Sequence, residues 1–244
     1  QSCTSIPLTL GEDLGLGFHT IGLPQKVSLE KATSIAAEIA QCPGVISAEP
    51  EQPVSLGSLD IDAERVSGFA QSVQSVSAWG IDRIDQRSLP LNGSYEYDTT
   101  GAGVSIYIVD TGIYSGHSEF GGRVAPGFDG MGDGRGTEDC MGHGTHVAAI
   151  AAGSTYGVAK DATLVPVRVL NCVGQEGSSS LIIRGLNWIV ENHQPGVPAV
   201  ANMSLVMNPS AAIDAAVRAV IADGVTVVVA AGNHGTNSSC SVSP

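Results

Sequence analysis

Basic residues are scarce in this sequence. Only 11 lysines and arginines stand against 24 aspartates and glutamates, which gives a formal net charge of −13. Nucleic-acid binding needs clustered Lys and Arg side chains that neutralise phosphates, so we expect no nucleic-acid partner. Charged residues make up 14% of the chain and hydrophobic residues 43%, and this balance predicts a sizeable folded core rather than disorder.

Long apolar runs are also missing. The longest largely apolar stretch, Val225 to Ala231, is far shorter than the ~20 residues that span a bilayer, so we expect no membrane partner. The chain begins at Gln1 without a basic and apolar leader. We expect a secreted protein whose signal was removed, or a fragment of a longer chain.

Cys-x-x-Cys pairs are absent, although the chain has 5 cysteines. A structural zinc site is therefore not favoured. An odd number of cysteines in a secreted protein leaves one thiol without a partner in the same chain. The cysteines are Cys3, Cys42, Cys140, Cys172 and Cys240.

The amino-terminal part of the chain carries short structural signals. Gly17 to Leu23 predicts a strand, and Val45-Ile46 predicts a second one. Between them Ser28 can cap a helix, which Cys42-Pro43-Gly44 ends. Glu51 to Val76 is polar, with Pro, Gly and many Ser residues, and predicts a linker. The apolar stripe of the predicted helix consists of Leu29, Ala32, Ile35, Ala36, Ile39 and Ala40.

Stronger signals begin at Trp79. Continuous apolar runs predict strands, and helical patterns lie between them. Strands that alternate with helices form a parallel sheet that is buried on both faces. We therefore predict an α/β fold, a parallel sheet with helices on both faces, whose chemistry lies at the carboxyl ends of the strands. The predicted strands are residues 104–109, 163–170, 200–204 and 225–231, and the predicted helices are residues 143–152, 179–192 and 210–223.

Three polar residues lie at the predicted carboxyl edge of this sheet. Asp110 follows the first strand, His143 opens a helix between two glycines, and Asn233 follows the last strand in Ala-Ala-Gly-Asn. Each has an ordinary structural explanation when taken alone: a loop Asp, a helix His and a turn Asn. A metal pair of His143 with His146 lacks a His-Glu-x-x-His pattern and an obvious third ligand. Together the three residues are a candidate acid–base pair with an oxyanion donor.

Longer segments surround these positions: WGIDRIDQRSLPLNGSY, GAGVSIYIVDTGI, SEFGGR, DCMGHGTHVA, GSTYGVAK, VRVLNC, AVANMSL and VVVAAGN. In this order they resemble the subtilisin family of serine proteases and, within it, the proteinase K-like and aqualysin-like branch. The resemblance runs from about Ala78 to Pro244. It implies a subtilisin-like serine endopeptidase that acts on proteins or peptides and needs no cofactor for catalysis.

The resemblance also implies a role for each residue. His143 would accept the proton of the nucleophile and return it to the leaving amine, while Asp110 holds the imidazole in the required tautomer. Asn233 would donate a hydrogen bond to the oxyanion of the tetrahedral intermediate. The residues of the substrate cleft would be Gly174, Ser204, Leu205, Val206, Ala231 and Gly232.

A nucleophilic serine is missing from the sequence. The family carries it in a Gly-Thr-Ser-Met-Ala type segment downstream of the Asn233 motif, and neither that segment nor Gly-x-Ser-x-Gly occurs here. Ser204 ends a predicted strand, and the serines after Asn233 lack the rigid turn that a nucleophile needs. We expect an incomplete chain, without the carboxyl-terminal part of the catalytic fold, that is inactive by itself. The alternative is a catalytically dead pseudoenzyme that binds peptides or protein partners.

Val206 and Met207 favour that alternative. The family usually has two glycines at these positions, which leave room for the substrate side chain. We expect the two larger side chains to narrow or block the specificity pocket. The presence of Asp110, His143 and Asn233 favours the enzyme, because only catalysis requires all three.

Disulfide pairing follows from the same resemblance. Cys140 and Cys172 match a disulfide pair of the aqualysin-like branch. Cys240 matches a family cysteine whose partner lies further downstream, so it would be the leftover thiol. Cys3 and Cys42 can pair with each other.

A loop near residue 85 matches the calcium loop of the aqualysin-like branch. Carboxylate and amide oxygens close together suit Ca²⁺, which would be a structural ion. A solvated acidic turn is the alternative. The matching residues are Asp82, Asp85, Gln86, Asn92 and Ser94.

Residues 17–54, GFHTIGLPQKVSLEKATSIAAEIAQCPGVISAEPEQPV, resemble the second half of the family's inhibitory propeptide. The family's usual first strand and helix are not recognisable in Gln1 to Leu16. The segment would bind the catalytic domain of the same chain, and we expect a monomer. We predict a small α+β propeptide-like segment at residues 1–50, a linker and processing region at residues 51–77 with a junction between Phe69 and Ser77, and the amino-terminal part of the catalytic domain at residues 78–244.

Overall fold

The computed structural model describes residues 4, 6–56, 78–97, 99–173, 177–233 and 242–243. Within these residues, a short amino-terminal segment precedes a larger region in which helices alternate with strands. In chain order the elements are β1 (Thr9–Gly15), β2 (Phe18–Gly22), α1 (Leu29–Ile39), β3 (Pro53–Val54), α2 (Trp79–Ile84), β4 (Ser105–Asp110), β5 (Phe128–Asp129), α3 (His143–Ala152), β6 (Thr163–Arg168), β7 (Gly177–Ser178), α4 (Ser179–Asn192), β8 (Ala199–Met203), α5 (Ala211–Ala222) and β9 (Thr226–Val229).

A parallel sheet forms the centre of the larger region. Its five strands have the order β5-β6-β4-β8-β9, and every neighbouring pair is parallel. The carboxyl ends of these strands therefore meet at one edge, where Asp110 is the last residue of β4. The predicted parallel sheet is confirmed, and the short strand β5 is an addition to the predicted set.

Successive residues of β4 face opposite sides of the sheet, and a hydrophobic cluster covers each side. Tyr107 and Val109 lie in the larger cluster, which includes buried residues of α4 and α5. Ile106 and Ile108 lie in the smaller cluster, which includes buried residues of α3. Because both faces of the strand are buried, its sequence is a continuous apolar run. Helices on both faces are confirmed, and α3, α4 and α5 match the predicted ranges to within one residue at each end.

The amino-terminal segment consists of the β1–β2 hairpin and α1. The strand prediction for β2 is confirmed, and α1 begins after Ser28, whose hydroxyl accepts the backbone N–H of Lys31 at 3.3 Å. β1 was not predicted, because its sequence TLGEDLG is largely exposed and poor in β-branched residues. The strand predicted at Val45-Ile46 is wrong. The N–H of Val45 donates to the carbonyl of Cys42 at 3.1 Å in a turn, and the Ile46 side chain is fully exposed.

The prediction of a linker from residue 51 onward is wrong for its first residues. Pro53 and Val54 form β3, which pairs antiparallel with β7 of the larger region. The side chains of Val54 and Leu56 are buried, so this stretch packs against the fold rather than spanning open solvent. The rest of the predicted linker, with its processing junction, falls in residues 57–77, outside the described residues.

The predicted disulfide between Cys140 and Cys172 is present, with a Cα–Cα distance of 5.0 Å. Cys3 and Cys240 lie outside the described residues, so the pairing of Cys3 with Cys42 and the leftover thiol at Cys240 stay predictions. In the part of the chain that the structure describes, every helix is too short or too polar to span a bilayer.

Candidate active site

Asp110 and His143 form a buried hydrogen-bonded pair at the carboxyl edge of the sheet. His143 Nδ1 lies 2.7 Å from Asp110 Oδ1 and 2.9 Å from Oδ2. The Asp110 side chain is completely buried, and His143 is 4% exposed. Because a carboxylate only accepts, Nδ1 carries the proton, and Nε2 is the ring nitrogen that can take up another one.

The pair forms where the end of β4 meets the start of α3. Asp110 is the last residue of the strand and His143 is the first residue of the helix. Asp110 Oδ1 also accepts the backbone N–H of Thr111 at 2.7 Å, which fixes the carboxylate on its own turn. Gly142 leads into the helix with a φ of 102°, a left-handed conformation that favours glycine.

The charge of the His143 imidazole is stabilised by its surroundings. Burial opposes a charged ring, but the hydrogen bond that His143 donates to Asp110, the charge of Asp110 and the charge of Asp139 outweigh it and raise the pKa of His143. A raised pKa makes the ring a stronger base at Nε2. The arrangement can therefore accept a proton from a hydroxyl group placed against Nε2 and stabilise the imidazolium that forms.

Asp139, which the sequence analysis did not single out, is the second carboxylate near His143. Burial opposes its ionisation, but hydrogen bonds from the Gly142 N–H, the Thr145 hydroxyl and N–H and the Met141 N–H lower the pKa of Asp139. The carboxylate is therefore ionised at neutral pH. Its position four residues before His143, in Asp-Cys-Met-Gly-His, was the available signal.

The segment after β8 forms one side of the predicted substrate cleft. Ser204 is half-buried, and its hydroxyl accepts a hydrogen bond from Asn202 Nδ2 at 2.9 Å. Leu205 and Met207 are buried in the larger hydrophobic cluster, whereas Val206 between them is partly exposed. The expectation that both Val206 and Met207 narrow the pocket is therefore wrong for Met207, whose side chain lies in the core.

The other predicted cleft residues lie beyond β9 and in one loop. Ala231 and Asn233 are exposed, Gly232 is partly exposed, and all three follow β9 at the carboxyl edge of the sheet. Gly174 lies outside the described residues. Among the described residues, no serine hydroxyl is hydrogen-bonded to His143.

A segment of the chain itself lies in extended form beside Val206, one of the predicted cleft residues. Pro53 and Val54 pair with Ser178 and Gly177 on one side, and Ser55 forms a bridge to Val206 on the other. The N–H of Val206 donates to the carbonyl of Ser55 at 3.3 Å. Residues 53–55 thus form a short third strand between β7 and the segment after β8.

Two glutamates just before this strand bind the first turns of two helices. The Glu49 carboxylate accepts hydrogen bonds from the Ser210 hydroxyl and, at 3.1 Å, from the N–H of Ala211 at the start of α5. Glu51 Oε1 accepts the N–H and hydroxyl of Ser180 in α4, at 2.9 and 2.8 Å. Negative charge at a helix amino terminus is favourable, so these contacts hold the segment against both helices.

In the predicted calcium loop, side-chain oxygen atoms accept hydrogen bonds from N–H and hydroxyl groups of the same loop. The buried Asp82 carboxylate accepts the N–H groups of Asn92 and Gly93, at 3.3 and 2.9 Å. Gln86 Oε1 accepts the same Asn92 N–H at 3.3 Å, and Asn92 Oδ1 accepts the Ser94 hydroxyl at 2.8 Å. Four of the five predicted ligands therefore belong to one hydrogen-bonded network.

Asp85, the fifth predicted ligand, has one oxygen atom to spare. Its Oδ2 accepts the N–H of Glu96 at 2.5 Å. Its Oδ1 is buried and has no hydrogen-bond partner among the described residues. A buried carboxylate oxygen without a hydrogen-bond partner among the described residues fits a hard cation as its ligand. Within the described chain, no group of three or more His, Cys, Asp or Glu side chains is arranged to hold a metal ion.

Comparison with known proteins agrees with this geometry. The model of the subtilase family matches residues 101–243. The extracellular serine proteinase of Thermus sp. (strain Rt41A) is 48% identical over 231 residues, which cover 93% of this chain and 54% of the relative. The alkaline serine exoprotease A of Vibrio alginolyticus is 46% identical over 175 residues, which cover 72% of this chain and 32% of the relative.

A solved structure gives the same result. The crystal structure of a cold adapted subtilisin-like serine proteinase is 45% identical, with a TM-score of 0.65, and the match covers 70% of this chain and 60% of that one. The chain spans about half or less of the length of the relatives named above. The family match covers more than half of the chain, and its residues include the Asp110–His143 pair. The chain belongs to the subtilase family of peptidases.

Proposed function

We propose that this chain supplies the acid–base half of a secreted serine endopeptidase that cleaves peptide bonds through an acyl-enzyme. The nucleophilic serine would come from outside these 244 residues, so the chain alone is inactive. The observation that carries the proposal is the buried hydrogen bond of 2.7 Å between His143 Nδ1 and Asp110 Oδ1. Secretion is supported by the Thermus relative, which is described as extracellular.

The proposed chemistry assigns one task to each residue. His143 Nε2 takes the proton of the serine hydroxyl as it attacks the scissile carbonyl, and later returns that proton to the leaving amine. Asp110 holds the ring so that Nε2 points its lone pair at the serine, and it stabilises the imidazolium. Asn233, at the same edge of the sheet, donates to the oxyanion.

The amino-terminal segment acts in this proposal as an inhibitor in cis. Residues 53–55 pair with β7 and with Val206 as an extended peptide would, and Glu49 and Glu51 bind α5 and α4. A substrate that pairs with the same backbone groups would have to displace this strand. We propose that this zymogen is a monomer.

Calcium is proposed as a structural ion of the loop around Asp85. The buried Asp85 Oδ1, which has no hydrogen-bond partner among the described residues, supports this site, and Asp82, Gln86, Asn92 and Ser94 would supply or orient further oxygen atoms. The ion would stabilise the loop and would take no part in peptide hydrolysis.

A pseudoenzyme that only binds peptides is the second candidate. Val206 favours it, because this partly exposed side chain stands at the cleft edge where the family usually has glycine. The bound strand at residues 53–55 is compatible with both candidates, since either one binds an extended peptide.

A fluorophosphonate probe separates the two candidates. We expect no labelling of the 244-residue chain, and labelling of a longer protein that includes the coding sequence beyond Pro244. In the longer protein His143→Ala should abolish labelling and peptide hydrolysis, and Asp110→Asn should lower kcat by about 10⁴-fold. His146→Ala, an exposed histidine on the same helix, is the matched control. A stop codon directly after Pro244, or full hydrolysis by the His143→Ala protein, would contradict the enzyme proposal.

A further inference from the structure

We infer that Asp139 is a positioning residue for the Asp110–His143 pair, because its carboxylate ties the turn after β4 to the first turn of α3. The inference rests on the proposed function of that pair. Asp139 itself lies in the loop before α3, and in the described part of the chain its carboxylate makes no direct hydrogen bond to His143.

The Asp139 carboxylate accepts hydrogen bonds on both oxygen atoms. Oδ1 accepts the Thr111 hydroxyl and the N–H groups of Met141 and Gly142, each at 2.9 Å. Oδ2 accepts the N–H and hydroxyl of Thr145, at 2.9 and 2.6 Å. Charge-assisted hydrogen bonds of this kind are stronger than neutral ones, so the Asp139 side chain stabilises the turn that leads into α3 and the first turn of the helix.

Thr111 connects this carboxylate to the catalytic pair. It directly follows Asp110, is completely buried, and donates its hydroxyl to Asp139. The same hydroxyl oxygen accepts the N–H of Gly144, the residue after His143, at 2.9 Å. Thr111, the residue after Asp110, is therefore hydrogen-bonded to Gly144, the residue after His143. Asp139 orients the Thr111 hydroxyl that accepts this bond.

Thr145 provides a second connection to the strand side of the site. Its hydroxyl donates to Asp139 Oδ2 and accepts the N–H of Tyr114, in the loop after β4, at 2.9 Å. The loop that carries Asp110 is thus attached to α3 at two places, and Asp139 takes part in both. Loss of its acceptor atoms would free both hydroxyls to turn away.

Asp139 also acts on the charge of the imidazole. The charged groups that act on His143 are Asp110, from the end of β4, and Asp139, from the loop before α3. Burial opposes the charge on the ring, and these two carboxylates together raise the pKa of His143 above its ordinary value. Removing the charge of Asp139 while keeping its shape should therefore move the titration of His143 to lower pH.

Glu138 offers a matched control beside Asp139. Its carboxylate binds the hydroxyl and N–H of Ser115 and contacts neither Thr111 nor Thr145 among the described residues. Glu138→Gln makes the same change of charge one residue away without touching the network. Any difference between the two variants therefore comes from the position of the carboxylate rather than from net charge.

The test is a histidine titration by ¹⁵N NMR on the whole 244-residue chain. We expect Asp139→Asn to lower the pH midpoint of His143, and Glu138→Gln to leave it in place. Thr111→Val should let the Nδ1 proton of His143 exchange up to roughly tenfold faster, and Thr111→Ser, which keeps the hydroxyl, should not. If Asp139→Asn fails to fold, the comparison of Thr111→Val with Thr111→Ser tests the inference instead.

The inference is overturned if His143 titrates at the same pH in Asp139→Asn and the original chain, or if Thr111→Val and Thr111→Ser exchange at equal rates. A purely structural role would lower stability without moving the titration. None of these measurements needs a nucleophile. A longer protein without peptidase activity would therefore refute the proposed function separately.

Discussion

Gly144 approaches Gly112 so closely that a methyl group at position 144 would lie 2.1 Å from the carbonyl oxygen of Gly112. The same methyl group would lie 3.2 Å from the Asp110 side chain. The first turn of α3 can therefore reach the end of β4 only because residue 144 has no side chain. The hydrogen bond between His143 and Asp110 depends on this approach.

Gly144→Ala should separate the two elements. We expect a loss of roughly 2 kcal/mol or more in the free energy of unfolding, because backbone rather than a flexible side chain blocks the new methyl group. The measurement is urea unfolding followed by circular dichroism, with NMR of the His143 Nδ1 proton. Gly80→Ala, where nothing lies within 4 Å, is the control and should change stability little. Equal stability of the two variants would contradict the packing argument.

Loss of the Cys140–Cys172 disulfide should destabilise the chain. The bridge closes a loop with a sequence separation of 32 residues, for which the chain-entropy relation gives about 3–4 kcal/mol. The variant with both cysteines changed to Ala should unfold at a lower urea concentration than the oxidised chain. An unchanged unfolding midpoint in the variant would show that the loop is held by its other contacts.

His193 should make stability depend on pH. Its Nδ1 lies 2.6 Å from Asp223 Oδ2 and its Nε2 lies 2.8 Å from the carbonyl of Val197, so both ring nitrogens face acceptors. Burial opposes the charged ring, but these bonds and the Asp223 charge raise the pKa of His193. Asp223 also acts on the neighbouring Tyr107, whose pKa is raised by burial first and by this charge second.

The sign follows from the raised pKa in the folded state. The stabilisation by His193 is complete below its unfolded pKa of about 6.5 and is lost as the pH rises through the higher folded value. Asp223→Asn should therefore cost on the order of 1–2 kcal/mol at about pH 6, and less at about pH 9. Urea unfolding across this range measures the difference. His146→Gln is the control, and a cost that does not change with pH would contradict the prediction.

Removal of Glu49 and Glu51 charges should loosen the amino-terminal segment. The double variant Glu49→Gln, Glu51→Gln weakens the capping contacts on α5 and α4, each worth roughly 0.5–2 kcal/mol. We expect hydrogen exchange in α1 and β2 to become about tenfold faster or more, while exchange in β4 changes little. Asp161→Asn removes an exposed charge outside the amino-terminal segment and serves as the control. Equal exchange rates in the double variant and the control would show that apolar contacts alone hold the segment.

Calcium should stabilise the loop around Asp85. The buried Oδ1 of Asp85, which lacks a hydrogen-bond partner in the described part of the chain, would bind the ion, so added Ca²⁺ should raise the melting temperature of the original chain and a chelator should lower it. Asp85→Asn should weaken this response strongly. Asp161→Asn, a change of charge outside the loop, should leave it intact. Calorimetric titration without heat of binding would contradict the site.

Sequence patterns predicted the sheet well, because a strand buried on both faces must be apolar throughout. β4 and β6 are such strands, and their apolar runs lie between helices with clear boundaries, whereas β8 is buried at alternate residues and β9 is largely exposed. Local patterns failed where a partner decided the outcome. Val45-Ile46 has the composition of a strand, but it pairs with none of the described strands. Pro53 and Val54 form β3 because they pair with β7.

The sequence by itself determined the α/β class, the positions of the main elements and the identity of Asp110 and His143 as a pair. These depend on local hydrophobic periodicity and on motif order, which a linear chain displays. Tertiary structure decided that Met207 lies in the core, that residues 53–55 pair with β7 and Val206, and that Asp139 connects the loop after β4 to the start of α3. Each of these depends on atoms that are distant in sequence and meet only when the elements pack.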